Sequence, residues 1–421
     1  MTKSRLIRHA RRAILRLTGT AAIALALNAT PAAGFAPAAQ SAAPACKGVD
    51  GYASAFEGRR TFLWAPDVLI RLKAKRDSDP AIKAAYDGLL AKAEAAMKRP
   101  LFTVVDKRTV PPSGDRHDYL SIVGNWFPDP AKPDGPYIRG EGTNPERLSN
   151  KFDIADLDRM SADIETLSLA YYFSDNPRYA TRAASLARTW FLDPASRMNP
   201  NMNYAQTVPG REIGHADGVL ETARLQRVIE GLGLIAPSGK LTPEETKGME
   251  KWFSDYVDWM RGSTHGRNAS IANSYQSMWY DSQITQFALF ARRPDVVKSV
   301  VEAFPKRRFA TQFSVDGKLP IDLARSRSLY YSIFTLQAAY NAAEIGSCIG
   351  LDLWNVDSGG KSLRGATDFL AAYRGKLETW PYPEANPVPG DLDDLLYRAN
   401  RAWGDAYPST PRAELVRYLK L

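Results

Sequence analysis

The sequence predicts an all-α fold, a toroid of paired helices, and three observations lead there. Most segments carry the three-to-four-residue apolar repeat of amphipathic helices. Strand-type alternation is hard to find: its one candidate, Leu351 to Val356, is short and interrupted by Asn355. The helical segments follow one another as hairpins, with long polar loops between some of them, the layout of helix pairs packed around a ring. Hydrophobic residues make up 44% of the 421, ample material for such a core.

Taken from the N-terminus, residues 1–34 read as a secretory signal peptide: a basic stretch holding Lys3, Arg5, Arg8, Arg11 and Arg12, an apolar run from about Ala13 to Leu27, then small residues. A membrane anchor wants roughly 20 unbroken apolar residues, and Thr18, Thr20 and Asn28 interrupt this run. A periplasmic or secreted protein with no membrane span after processing is expected. Residues 35–60 form an Ala/Pro-rich arm, and residues 61–421 a single domain.

Removing residues 1–45 takes away six basic residues and no acidic ones, so the formal charge falls from +9 to +3. The basic balance belongs mostly to targeting, which removes the compositional support for a nucleic-acid partner. Cys46 and Cys348 are the two cysteines. An oxidising compartment favours one bridge between arm and late helix, while two unpaired buried thiols are the alternative.

The helices are read at Asp67 to Lys98, Leu157 to Phe173, Pro177 to Phe191, Gly218 to Leu234, Thr242 to Met260, Ser277 to Phe290 and Asp322 to Cys348. Thr242, Pro243 and the following two glutamates supply a cap, an N1 proline and first-turn acids, and Asn176 with Pro177 opens another helix. Between Leu101 and Lys151 the pattern changes to a Pro/Gly/Asp-rich loop, and a second long loop runs from Asp193 to Asp217. Structureless stretches of that length inside a compact domain are usually functional.

Residues suited to chemistry concentrate at the head of the last long apolar segment, where Arg325, Arg327, Tyr330 and Tyr331 fall within seven positions. A guanidinium neutralises a carboxylate through a bidentate fork, and a phenol beside such a charge can lose and return a proton. That combination suits acidic sugars. No cofactor or metal is expected: His117, His215 and His265 are not spaced as a metal pair, the cysteines are not clustered, and no Gly-rich phosphate loop or nucleophile elbow occurs. The acidic residues offer no pair that stands out for a two-carboxylate hydrolase.

Several motifs in order, Phe102 to Lys107, Pro111 to Ser121, Trp126 to Pro130, Trp190 to Pro194, Met198 to Gln206, Trp279 to Gln283 and Leu319 to Arg325, together resemble the alginate lyase superfamily over about residues 65 to 400. The resemblance implies an α/α toroid that cleaves a polyuronate, alginate (mannuronate-rich) or glucuronan, by β-elimination without metal or organic cofactor. It implies Tyr331 as base and acid in a syn elimination, its phenol pKa lowered by Arg325, which would help neutralise the C5 carboxylate.

Helix geometry complicates that pairing, because six residues at about 100° each place Arg325 and Tyr331 on different faces of one helix. Either the helix begins after Arg325 or Arg327, at i and i+4 to Tyr331, takes the role. The sequence also departs from the family between Asn273 and Tyr280, where relatives carry a histidine. Tyr275 or Gln276 occupies its place, as a substitute base or as an amide neutraliser. By resemblance His117 joins the catalytic set, and Lys107, Arg116, Tyr119, Tyr204, Gln206, Arg211, His215, Asn273, Tyr280 and Arg327 the substrate-binding set. A polyuronate-binding protein that has lost catalysis, and a glycoside hydrolase, are the alternative readings.

Overall fold

A computed structural model of the chain describes residues 58–421 except 386 and 388. The segment read as a signal peptide, nearly all of the Ala/Pro-rich arm and Cys46 lie outside the described residues. The α-helices are α1 Pro66–Lys75, α2 Pro80–Lys98, α3 Ile154–Ser174, α4 Pro177–Ala187, α5 Leu225–Ile235, α6 Pro243–Gly262, α7 Thr264–Ile271, α8 Tyr275–Phe290, α9 Pro294–Phe304, α10 Ala310–Gln312, α11 Pro320–Leu323, α12 Ser328–Cys348, α13 Leu363–Ala371, α14 Pro389–Trp403 and α15 Pro411–Leu419.

Packing follows a closed circuit. Helix α2 lies on α3, α3 on α5, α5 on α8, α8 on α12, α12 on α14, α14 on α15, and α15 returns to α2. The result is an α/α toroid, in which the inner helices pack against several neighbours and the last helix closes the circuit onto α2. α3, α5, α8 and α12 are buried over most of their surface, with tyrosines, phenylalanines and leucines forming one continuous core.

The boundaries differ from the sequence reading wherever local geometry interrupts the apolar repeat. The stretch from Asp67 to Lys98 is two helices, because Asp79 in extended backbone caps α2 through the amides of Ala81 and Ile82 and Pro80 fills its first turn. Residues Ala216–Arg224 wind as a 3-10 helix before α5, and α4 runs on as a π-turn over Arg188–Leu192. The capping box at Thr242 is present: Thr242 Oγ1 accepts from Glu245 N and Glu245 Oε2 accepts from Thr242 N.

Four short strands lie in the two long loops, too brief to leave a period-two signal in sequence. β1 Leu120–Ile122 pairs in parallel with β4 Tyr204–Thr207, so the first and second loops are joined, and β2 Trp126–Phe127 pairs antiparallel with β3 Ile138–Arg139. Cys348 is disulfide-bonded.

The run from Ala216 through α5 carries buried polar side chains, each tying down a different neighbour. Glu221 accepts from Tyr119 Oη, Ser121 Oγ and Arg147 Nη2 at 2.8, 2.6 and 2.5 Å, which fixes the first loop. Thr222 donates to Gln283 of α8 at 2.7 Å and lies 2.7 Å from Tyr256 Oη of α6. Gln226 donates to Ser282 Oγ of α8 at 3.0 Å, and Asn341 of α12 donates to the same hydroxyl. Glu230 accepts from the amides of Phe62, Leu63 and Trp64 and from Gln286. A buried carboxylate persists where donors replace its water.

Glu230→Ala leaves those three amides without an acceptor, so the variant should lose at least about 2 kcal/mol in urea unfolding, against about 1 kcal/mol for Thr242→Ala at an exposed cap.

Candidate active site

The site forms where the first turns of α8 and α12 meet. The helix predicted over Asp322 to Cys348 is broken: α11 ends at Leu323, and α12 starts at Ser328, leaving Arg325 outside both. The break is made by a distant segment. Ser328 N donates to Pro383 O, Ala385 N donates to Ser326 O, and Arg327 forms an antiparallel bridge with Glu384. The Glu384 carboxylate also accepts from Tyr330 N, capping the first turn of α12.

Freed from the helix, Arg325 folds back over the phenols. Its Cζ lies 4.0 Å from the ring centre of Tyr331 and 5.3 Å from that of Tyr275, the first residue of α8. The two rings are 5.0 Å apart. Arg327 lies instead over Tyr330, at 4.1 Å, so Arg325 and not Arg327 accompanies Tyr331. Among the described residues the Arg325 guanidinium makes no hydrogen bond and no ion pair, and two π faces hold the cation while its N–H groups stay available.

Phe334 and Trp279 extend the aromatic surface. Phe334 packs against Tyr275, Trp279 and Tyr330 at 5.8, 4.6 and 5.6 Å between ring centres. From this surface a cavity of about 600 Å³ opens among the inner helices, lined by Trp279, Tyr330 and Phe334 on one side and by Arg224, Gln226, Gln337 and Asn341 further in. Flat rings beside polar side chains are the usual lining of a sugar site.

Burial sets the state of Tyr275. Burial pushes Tyr275 up to about 12, against the pull of Arg325 and with Tyr331, Asp217 and Asp322 adding to the rise. At neutral pH Tyr275 is therefore a phenol and a hydrogen-bond donor. Gln276, beside it on the first turn of α8, is half-buried, and its Oε1 is buried without a partner. Asn273 is exposed just before the helix.

The second loop reaches this cluster through Asp217. Gln206 Nε2 donates to Asp217 O at 3.4 Å, and His215 Nδ1 lies 3.6 Å from the Asp217 carboxylate. Gly214, at φ +72°, lets the chain press against Asn203 O, where a Cβ would stand 2.0 Å away, and this brings His215 beside His265. Burial and the neighbouring His215 hold His265 below the usual histidine range. Gln206 occupies a bulge where β4 passes β1, at φ +53°, with its amide donating to Ser121 Oγ at 2.8 Å. A non-glycine residue in that region is strained and re-aims its side chain.

Other residues expected to touch substrate serve the scaffold instead. Tyr280 is 4% exposed and donates to Met260 O in the core. Tyr119 is fully buried on Glu221. Lys107 is 3% exposed, with its ammonium 3.1 Å from Asp153 and donating to the carbonyls of Val104 and Arg116. Burial pushes that lysine down and Asp153 up, to about 7. In all three the polar tip is held by an internal partner, in the first loop for Lys107 and Tyr119 and between α8 and α6 for Tyr280.

Among the described residues, no contact joins the remaining loop side chains to Arg325 or Tyr331. Arg116 is exposed and donates to the carbonyls of Val105 and Lys107. His117 Nδ1 donates to Arg197 O at 2.6 Å, which leaves Nε2 outward. Tyr204 packs beside Leu120, Ile122 and Phe152, and Arg211 donates to Tyr137 O while lying over Trp126. Asp217 and Asp322 are site residues that the sequence reading passed over. Their signal was weak, since any acid in a loop looks solvated until its neighbours are known.

Residues 103–380 match the family model described as alginate lyase. The chain belongs to the alginate lyase family of polysaccharide lyases. It is similar to an alginate lyase from Bacteroides ovatus, with 34% identity over 86% of this chain and 99% of that one and a TM-score of 0.79. It shares its fold, at 15% identity and a TM-score of 0.50, with a histidine-to-alanine variant of alginate lyase A1-III of Sphingomonas species A1 complexed with tetrasaccharide, over 84% of this chain and 94% of that one. No match was found among curated proteins.

In this family member the bulge at Gln206 is open to test. Gln206→Gly relieves the left-handed strain and should raise unfolding stability by about 1 kcal/mol while removing the amide, seen as a higher KM for polymer.

Proposed function

We propose that this lyase cleaves a polyuronate, mannuronate-rich alginate or glucuronan, by β-elimination after export, with Tyr331 as base and acid. The observation that carries the reading is the Arg325 guanidinium, stacked on two phenols and, among the described residues, bound to no carboxylate. A cation held by two rings with its N–H groups available is suited to receive an anion from outside.

The chemistry needs such a receptor. The C5 hydrogen of a uronate is too weakly acidic to remove while the adjoining carboxylate keeps its charge, and preorganised donors stabilise the enolate that forms. Arg325 supplies the fork, and the N-terminus of α8 adds the positive end of a helix dipole. Gln276 supplies an amide where relatives carry histidine, and its unpartnered Oε1 leaves room for that group to reorient toward a ligand.

Tyr331 then takes the C5 proton as phenolate and returns it to O4 of the leaving sugar, which breaks the C4–O4 bond and leaves a C4–C5 double bond. Such a syn path needs one residue on one face of the sugar, consistent with the missing histidine. Tyr275, held as a neutral phenol, donates a hydrogen bond to the carboxylate or to the Tyr331 oxygen. The rings of Trp279, Tyr330 and Phe334 offer stacking surfaces for the neighbouring sugars.

Polymannuronate, polyguluronate and glucuronan should be incubated with the purified protein while the absorbance of the unsaturated product and the chain length are followed together. Both change for a lyase, chain length alone for a hydrolase, and neither for a binding protein; silence on every polyuronate would end the proposal. Tyr331→Phe should lower kcat by at least about 10³-fold with KM little changed, and Arg325→Ala should impair both parameters.

A further inference from the structure

Asp322 has no obvious structural reason to be charged where it is. It is 3% exposed, in the short helix α11, three residues before Arg325. One carboxylate oxygen accepts from Thr335 Oγ1 at 2.7 Å, and the other is buried without any partner. Its backbone carbonyl accepts from Arg325 N at 3.1 Å. Burial pushes its carboxyl up to about 6, with Arg325 pulling the other way. A half-satisfied buried carboxylate costs stability, and replacing it with a neutral group is usually neutral or favourable for the fold.

The neighbours of Asp322 explain its retention. Thr335 lies one turn after Tyr331 on α12, so the hydroxyl bond clamps α11 to the face of the helix that carries the phenol. Arg325 leaves α11 just after Asp322 and lies over Tyr331. Tyr275 feels the charges of both Arg325 and Asp322. One residue thus joins the turn that carries the cation to the helix that carries the proposed base.

We propose that Asp322, anchored by Thr335, is the positioning residue that holds Arg325 over Tyr331 in the orientation needed for proton transfer. Its role is to orient a guanidinium that makes no hydrogen bond of its own, without occupying the N–H groups that meet substrate. A fully paired salt bridge would hold Arg325 more firmly and block it. The inference rests on the polyuronate lyase reading for its effect on turnover, while the placement of Arg325 over Tyr331 stands apart from it.

Asp322→Asn keeps the acceptor for Thr335 and removes only the charge. On the polyuronate that the wild type cleaves, it should lower kcat by about tenfold or more with KM unchanged or lower, and with a melting temperature equal to or above wild type. Thr335→Val should lower kcat in the same way, and Thr335→Ser should restore it. A kcat for Asp322→Asn within about twofold of wild type would overturn the proposal, as would a fall in kcat that tracks a fall in melting temperature.

A second readout does not depend on activity. Crystal structures of the wild type and of Asp322→Asn should show the Arg325 guanidinium moved off the Tyr331 ring in the variant. If the wild type cleaves no polyuronate but Arg325 moves, the substrate reading fails and the positioning role survives; if Arg325 keeps its place over Tyr331 in the variant, the positioning role itself is wrong.

Discussion

The cation–π contact between Arg325 and the paired phenols of Tyr331 and Tyr275 is the constraint around which the rest of the protein is arranged. A guanidinium stacked on rings is held by about 0.5–2 kcal/mol and retains all five donors. Such weak restraint gives a defined position only if the surroundings are stiff. The chain supplies that stiffness with the break after α11, the clamp of Thr335 on Asp322, and the crossing of residues 383–385 over the start of α12.

The same logic extends outward. Asp281, in the middle of α8, is fully buried and paired bidentately with Arg308, which also donates to Ser270 O at the end of α7. The approach of Tyr275 to Tyr331 is thereby tied to the helix pair behind it. Glu221 does for the first loop what Asp281 does for α8, and through Ser121 it reaches the Gln206 bulge of the second loop. Ion pairs replaced by packed apolar groups often leave a fold no less stable. Asp281 ties down α8, which begins at Tyr275, and Glu221 ties down the first loop, so geometry is the property these buried groups maintain.

Much of the fold was legible because it rests on local signals. The repeat in α3, the Asn176 and Pro177 start of α4 and the capping box of α6 each specify an element within a few residues. The break between α11 and α12 was not, since residues Ser326 to Ser328 are released from the helix by partners more than 50 positions away. The site divides along the same line. Arg325, Tyr331 and Tyr275 announced themselves by residue type and position, and the alternative pairing through Arg327 was resolved only by where that guanidinium lies. Lys107, Tyr119 and Tyr280 have the chemistry of ligand contacts and the burial of core residues, a distinction that depends on Asp153, Glu221 and Met260 being near.

The absent histidine is where these strands meet. An imidazole at Tyr275 or Gln276 could act as a base on the face of the sugar opposite Tyr331. Here the candidate positions hold a phenol pushed up to about 12 and a neutral amide, neither of which accepts a proton readily near neutral pH. His215 and His265 lie together across the second loop, but burial and mutual repulsion keep His265 uncharged, and the nearest acid to His215 is Asp217. Under the proposed elimination, proton transfer therefore falls to Tyr331, with Tyr275, Gln276 and Arg325 as donors to the developing charge. On that reading, a site with one base and three donors suits a substrate whose proton and leaving oxygen lie on the same face, and the missing imidazole narrows stereochemistry.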